Sequence, residues 1–220
     1  MHKPLYIYGA SGHAKVIVDI AERMGAWKIC VILDDNAASE MFLGYPVRNS
    51  EECLSHLDPR RDNLVIAIGA NAARRRIGAI LSARGFHLPA LFHPSAVIGR
   101  DVIVGAGTVV MAGVIVNPAT TIGGFCILNT GCTVDHDNQL GQAVHISPGA
   151  HLAGGVTIGD ESWVGIGASV IQQRKIGCRC MIGAGAVVID DVSDDVTVVG
   201  VPARPVSQRI ASLRSSIGQA

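Results

Sequence analysis

The aliphatic residues of this 220-residue chain stand on a ladder with a period of six. The rungs run Ile98, Val104, Val110, Val116, Ile122, Leu128, Val134 and Leu140. They continue through Ile146, Leu152, Ile158, Val164, Val170, Ile176, Ile182 and Val188 without a slip. With Val, Ile and Leu at about 30% of residues, such a run arises by chance roughly once in 10⁸. Two residues before a rung the side chain is mostly small, as at Thr108, Cys126, Ala150 and Ser162. The residue after a rung is often glycine, as at Gly99, Gly105, Gly141 and Gly159. A period of six is neither the 3.6 of a helix nor the 2 of a strand. It predicts short strands joined by tight corners, with the rung inside, a small residue beside it and glycine at the corner. Three hexads close one triangular turn, so residues 18 apart stack, and the ladder predicts about five turns of parallel β-helix at about 4.8 Å each.

Before the ladder the pattern changes. Leu5 to Tyr8 predicts a buried strand, Gly9-Ala10-Ser11-Gly12-His13 a turn, and Ala14 to Met24 a helix with Ile17, Ile20, Ala21 and Met24 on one face. Lys28 to Leu33 predicts a second strand ending in Asp34-Asp35, and Leu64 to Ile68 a third ending at Gly69. Asn71 to Ala83 predicts a second helix, whose Arg74-Arg75-Arg76 run reads as a solvated face, and Leu88 to Phe92 a short last strand. Strand, glycine turn, helix, strand is half of a doubly wound α/β unit, a half-Rossmann domain. Backbone N–H groups at the helix start favour phosphate, and an acidic side chain ending the second strand suits a ribose or base. GASGH lacks the full GxGxxG, which favours a single nucleotide over a dinucleotide. The chain thus divides into a nucleotide-binding α/β domain at 1–92, a β-helix domain at 93–203 and a tail at 204–220. Val196 to Val201 reads as a last strand, and Pro205 to Ser216 as a short helix with Pro205 in its first turn.

Composition narrows the functional classes. The 26 glycines and 4% aromatic residues exclude most helical bundles, because glycine costs about 1 kcal/mol inside a helix. Lys and Arg number 18, as do Asp and Glu, which argues against nucleic acid or a polybasic membrane surface as partner. The 92 N-terminal residues hold 11 basic and 9 acidic side chains, an asymmetry that fits a phosphate-bearing ligand there. Val102 to Val134 carries no charge, yet Asn117-Pro118 interrupts it and the six-residue period continues through charged sequence on both sides, so no membrane span is expected. The opening apolar run is too short for a secretory signal, and the six cysteines form no CxxC pair. Both features suggest a reducing cytoplasm.

Candidate chemistry gathers where Asn, Asp and His interrupt the apolar hexads, at Asn129, Asp135, His136, Asp137 and His145. A β-helix does not need a histidine between two aspartates for stability. Imidazole beside carboxylate is the arrangement of a general base near neutral pH. Neighbours in a flat strand point to opposite sides, so Asp137 reaches His136 only at a corner, and spacing alone does not choose between Asp135 and Asp137.

Residues 1–205 resemble the sugar acetyltransferases of bacterial glycan assembly through YGASGHAKV, LDD, AIG, LNTGCTVDHD, VHISPGAHLAGGVTIG and GVPAR. That hexapeptide-repeat family includes the N-acetyltransferase of the UDP-4-amino-4,6-dideoxy sugar in bacillosamine synthesis and the perosamine N-acetyltransferases, with sialic acid O-acetyltransferases as close relatives. The resemblance implies a left-handed β-helix, acetyl-CoA as cosubstrate, and a homotrimer with CoA between neighbouring β-helices, which adds to the cytoplasmic location that the cysteines suggest. It implies direct N-acetylation of a nucleotide-linked 4-amino-4,6-dideoxy sugar, with O-acetylation of a sialic acid as the alternative. By the same resemblance His136 is the general base and Asp137 its carboxylate partner. Asn129 contacts the sugar, and His145, Gly154 and Ile166 serve acetyl-CoA. Ser11, Gly12 and His13 hold the nucleotide phosphates, Asp34 and Asp35 the uridine, and Gly69 completes the substrate-binding set. Arg204 of the GVPAR motif meets either a CoA phosphate or solvent. A zinc enzyme on the same repeat needs three converging histidines. His145 and His151 are six apart where the known arrangement has five, so no metal is expected.

Overall fold

The computed structural model describes residues 2–36 and 39–206. The chain opens with β1 (Lys3–Tyr8), whose Leu5 and Ile7 are fully buried while Tyr6 and Tyr8 lie half-buried on the other side. A turn at Gly9 leads into α1 (Gly12–Met24), which buries Ala14, Ile17, Val18, Ile20 and Ala21 on one stripe. It stops at Gly25, left-handed at φ 62°, whose N–H donates to the Glu22 carbonyl. Strands β2 (Trp27–Leu33), β3 (Met41–Phe42) and β4 (Tyr45–Arg48) follow. Then come α2 (Ser50–His56), β5 (Asn63–Ile66) and α3 (Asn71–Ala83). The sheet order is β3-β4-β2-β1-β5, parallel except for the β3–β4 hairpin. The carboxyl ends of β1, β2 and β5 therefore lie side by side, where doubly wound sheets bind ligands.

The hairpin and α2 were not foreseen. β3 is only two residues long, β4 contains Pro46, and α2 is seven residues held by its cap, with Asn49 accepting from the Glu52 N–H. None shows a periodic signal. The strand expected at Leu88 to Phe92 is only Leu91–Phe92, and it pairs with Val109–Val110. It is the first rung of the β-helix, six residues before Ile98.

From there the chain winds as a left-handed parallel β-helix of three sheets. The first face carries Leu91–Phe92, Val109–Val110, Ile127–Leu128, His145–Ile146, Trp163–Val164 and Met181–Ile182. The second includes Ile115–Val116, Thr133–Val134 and His151–Leu152, and the third Thr121–Ile122, Gln139–Leu140 and Thr157–Ile158. Partners are 18 residues apart up to Val170 and Val188, as the ladder predicts. From Val110 to Val188 every rung is buried, while Ile98 and Val104 belong to the open first coil. Burial of each aliphatic rung contributes about 1.5–3 kcal/mol. The small column beside the rungs is also buried, and its hydroxyls bond the next coil: Thr108 donates to the Gly123 carbonyl and Ser162 to that of Gly177.

The corners differ from expectation. Left-handed backbone falls three residues after each rung, at Asp101, Gly107 and every sixth residue to Gly185. The glycines that directly follow rungs have ordinary φ. A Cβ on Gly159 would sit 2.6 Å from the Cys178 nitrogen, so these positions need glycine because the next coil passes so close. The last coil is shorter, with Ile182 paired to Val198, and Arg204–Pro205 folds back antiparallel on Thr197–Val199. Pro205 is thus in a strand and not in the first turn of a helix. The rest of the expected helix from residue 207 onward lies outside the described residues.

Helix α3 joins the two units along the edge between the third and first faces. A Cβ on Gly78 would lie 2.5 Å from the Phe125 ring, so the helix seats its glycine on that ring. The triple-arginine run is not a solvated face. Arg74 is 1% exposed, Arg75 bridges Asp160 and Glu161 at 2.8 Å each, and only Arg76 lies open.

Candidate functional site

The strand ends of the first unit enclose a cleft of about 380 Å³ lined by Ser11, Asp34, Asp35, Asn36, Ser50 and Gly69, among others. Gly9 makes its floor possible. With φ at 109° and the Ala67 carbonyl 3.0 Å from where a Cβ would be, no other residue fits. Ser11 is the N-cap of α1 without capping it; its hydroxyl turns to the Ala67 carbonyl at 3.4 Å. The first N–H groups of α1 thus remain available for an anion. Asp34 accepts from the Ala10 N–H at 2.7 Å and the Asn36 N–H at 2.8 Å, which ties the end of β2 to the turn. One Asp35 oxygen accepts from Asn49 Nδ2 at 2.9 Å and the Ser50 N–H at 2.7 Å, fastening α2 to the cleft. Gly12 begins α1 with open space where a Cβ would be. His13 stands apart from this group. Its Nε2 is enclosed with no hydrogen-bond partner among the described residues. Burial, and then the Arg74 charge, lower its pKa to about 4.

The second cluster is a corner of the β-helix. Asp137 occupies the left-handed position at φ 59°, between a second-face and a third-face strand. This bend turns its carboxylate onto the neighbouring imidazole, with His136 Nδ1 2.7 Å from Asp137 Oδ2. Asp135 takes a different part. It accepts from the His136 backbone N–H at 2.8 Å and from Asn117 Nδ2 at 2.7 Å. The choice that spacing left open is settled by geometry: Asp137 meets the ring and Asp135 holds the backbone. Asp137, followed by Asp135, raises the His136 pKa above its ordinary value. Nδ1 donates to the carboxylate, which leaves Nε2 as the basic nitrogen. One coil away Gly154 lies against this ring, where a Cβ would come 2.6 Å from Cε1. Asn138, fully buried, donates from Nδ2 to the carbonyls of Asp135 at 2.6 Å and Ala153 at 3.0 Å, bracing the corner from inside.

The third cluster lies on the first face. His145 is buried and stacks on Trp163 with centroids 4.9 Å apart, and Trp163 Nε1 donates to Ser147 Oγ at 2.6 Å. Asn129 Oδ1 accepts from the Thr130 N–H, so its Nδ2 faces His145 Nε2 at 3.1 Å. The ring proton therefore sits on Nδ1, which is enclosed without a partner among the described residues. Burial, with Arg74 and His13 nearby, lowers the His145 pKa to about 3, and the ring is neutral. Beside it an apolar groove of about 260 Å³ runs between Trp163, Ile166 and Met181.

The structure therefore brings Ser11, Asp34, Asp35 and Gly69 together, pairs His136 with Asp137, and pairs Asn129 with His145. It places Gly154 under His136 and Ile166 in the groove. It does not bring His136 and His145 together within one chain, because the corner of His136 lies opposite the first face. Arg204 is paired with Asp190 at 3.1 Å. Sequence reasoning missed Trp163 and Asn138. The signal for Asn138 was present: it stands in the small-residue column, where a buried amide is out of place.

Residues 4–81 match the family described as the PglD N-terminal domain. The acetyltransferase domain of PglB from Neisseria gonorrhoeae has a TM-score of 0.90 and 41% identity, covering 93% of this chain and 100% of that one. PerB from Caulobacter crescentus, solved with CoA and GDP-perosamine, has a TM-score of 0.87 and 40% identity over 93% of this chain and 97% of its own. Two further structures of the Caulobacter enzyme carry single histidine substitutions and hold the same two molecules. GDP-perosamine N-acetyltransferase of Escherichia coli is 29% identical over 218 residues, 94% of this chain and 98% of that protein.

Proposed function

Because this chain belongs to the bacterial sugar acetyltransferase family built on hexapeptide repeats, we propose that it transfers acetyl from acetyl-CoA to the amino group of a nucleotide-linked 4-amino-4,6-dideoxy sugar. That the chain is an acetyl-CoA-dependent acetyltransferase follows from its family. The amine acceptor and the residue roles are our reading. One observation carries it: the His136–Asp137 pair on an exposed corner, with Nδ1 held by the carboxylate and Gly154 leaving the ring its room.

The neutral amine attacks the thioester carbonyl and forms the new C–N bond. His136 Nε2 takes the proton that nitrogen must lose, and Asp137 stabilises the imidazolium. Collapse breaks the C–S bond, and CoA leaves as a thiolate that takes a proton from the imidazolium or from water. Main-chain N–H groups of the β-helix wall are suited to the transient oxyanion. Direct attack is favoured over an acyl-enzyme. Burial holds the Cys126 and Cys132 thiols up at about 11 and about 12, so neither supplies a thiolate.

The nucleotide occupies the cleft at Ser11, Asp34 and Asp35, with its phosphates at the start of α1. CoA lies along the groove at Trp163 and Ile166, near His145. His136 is on the opposite corner, so a complete site takes His136 from a second copy, which a homotrimer provides. The experiment is a panel of UDP-, GDP- and dTDP-linked 4-amino sugars and free sialic acids, each with acetyl-CoA, followed by thiol release. Turnover with a nucleotide amino sugar is expected. Reaction with sialic acids alone would replace N-acetylation with O-acetylation as the function.

A further inference from the structure

Arg74 departs from what a buried position usually holds. All five of its N–H donors are used. Nε donates to the Phe125 carbonyl at 2.7 Å, and Nη1 to those of Ile68 at 3.0 Å and Gly69 at 2.8 Å. Nη2 donates to Asn71 Oδ1 at 2.8 Å and to the Ala143 carbonyl at 3.0 Å. Every acceptor is neutral, and no carboxylate among the described residues contacts it. A buried charge without a counter-ion is costly, and an apolar side chain of similar volume is often the more stable choice. Desolvation lowers its pKa to about 10, so it stays charged at neutral pH.

The acceptors come from two functional places. Ile68 and Gly69 line the nucleotide cleft. Phe125 and Ala143 are left-handed corners of consecutive coils, 18 residues apart. Asn71 extends the comb by one more coil, donating to the carbonyls of Glu161 at 3.0 Å and Ser162 at 3.2 Å. A planar fork with fixed donor directions holds these carbonyls at set separations, which a flexible ammonium does not do.

We propose that Arg74 is a positioning residue whose guanidinium fixes the span between the nucleotide cleft and the β-helix. A substrate gripped at its nucleotide end then presents its amine at the acetyl-transfer wall. The proposal rests on the reading above that one substrate bridges both units. Wild-type turnover on the nucleotide-sugar panel tests that reading by itself; the variants below test only Arg74.

The variants are Arg74→Lys, which keeps the charge and loses the fork, and Asn71→Ala, which removes one acceptor and the third coil contact. Binding of GDP, UDP and acetyl-CoA is measured by calorimetry, turnover by thiol release, and folding by thermal melting. Arg74→Lys is expected to bind nucleotide and acetyl-CoA within about twofold of wild type. Its kcat is expected to fall by on the order of 10²-fold, the scale of a small misplacement of reacting groups. Asn71→Ala is expected to show the same split, with a smaller loss. Unchanged kcat in both folded variants would overturn the proposal. So would a parallel loss of nucleotide and acetyl-CoA binding, or failure of both variants to fold, since each marks a purely structural role.

Discussion

At the corner between the second and third faces, one imidazole is shaped by three neighbours with separate tasks. Asp137 holds Nδ1, Asp135 holds the backbone N–H, and Gly154 leaves the space in which the ring lies. If His136 is the base, it works only when neutral, so the rate rises with pH through its raised pKa. Asp137→Asn removes the largest cause of that rise. The acid limb of the kcat profile is expected to move to lower pH while the plateau drops, because the imidazolium loses its partner. His136→Ala is expected to lose about 10²–10⁴ in turnover with an unchanged melting temperature. An Asp137→Asn profile superimposable on wild type would assign the carboxylate no part in the chemistry.

At the scale of the element, the period of six foretold the strands, their 18-residue stacking and the inward rungs. It did so because a prism this narrow admits one aliphatic side chain per wall, so every coil repeats the same demand. What it did not reveal is what the repeat does not control. The left-handed corner tolerates Asp101, Phe125 and Asp137 as well as glycine, so it leaves no single-residue mark. The glycines that do recur answer to the next coil and not to the corner. Gly154 belongs to neither class, since its missing Cβ is where the His136 ring sits. Gly154→Ala is expected to keep the melting temperature within a few degrees and cut turnover at least about tenfold, since a methyl there must displace the imidazole. Full activity in that variant would mean that the ring position is not critical.

Across the whole molecule, the junction of the two units was the part least legible in the sequence. Arg74 sits in a run of three arginines, and a charge run reads as solvated until the partner surface is known. The contacts from α3 to Phe125, Ala143, Glu161 and Ser162 join residues 51 to 91 apart, and no local pattern reports them. The same junction sets a pH limit on the fold. His13 and His145 both have folded pKa values, about 4 and about 3, below the 6.5 of the unfolded chain. The unfolded state therefore binds more protons as pH falls. Their stabilisation is present above about 6.5 and is lost as pH falls through about 4 for His13 and about 3 for His145. Thermal melts are expected to show a steep loss across that window, and His145→Gln to flatten it. An equally steep loss in His145→Gln would remove His145 from the cause.

The central claim is that the nucleotide cleft of one chain works with His136 of another. Co-expression of two variants tests it most directly: His136→Ala, with an intact cleft, and Asp34→Ala, which frees the turn at Ala10. Thiol release with the amino-sugar substrate is measured for each variant alone and for the purified mixture of chains. The account predicts that each is nearly inactive alone and that mixed oligomers regain about a quarter of wild-type turnover, the share of sites that draw both intact halves at random from a closed symmetric assembly. A mixture no more active than the two variants alone would contradict it.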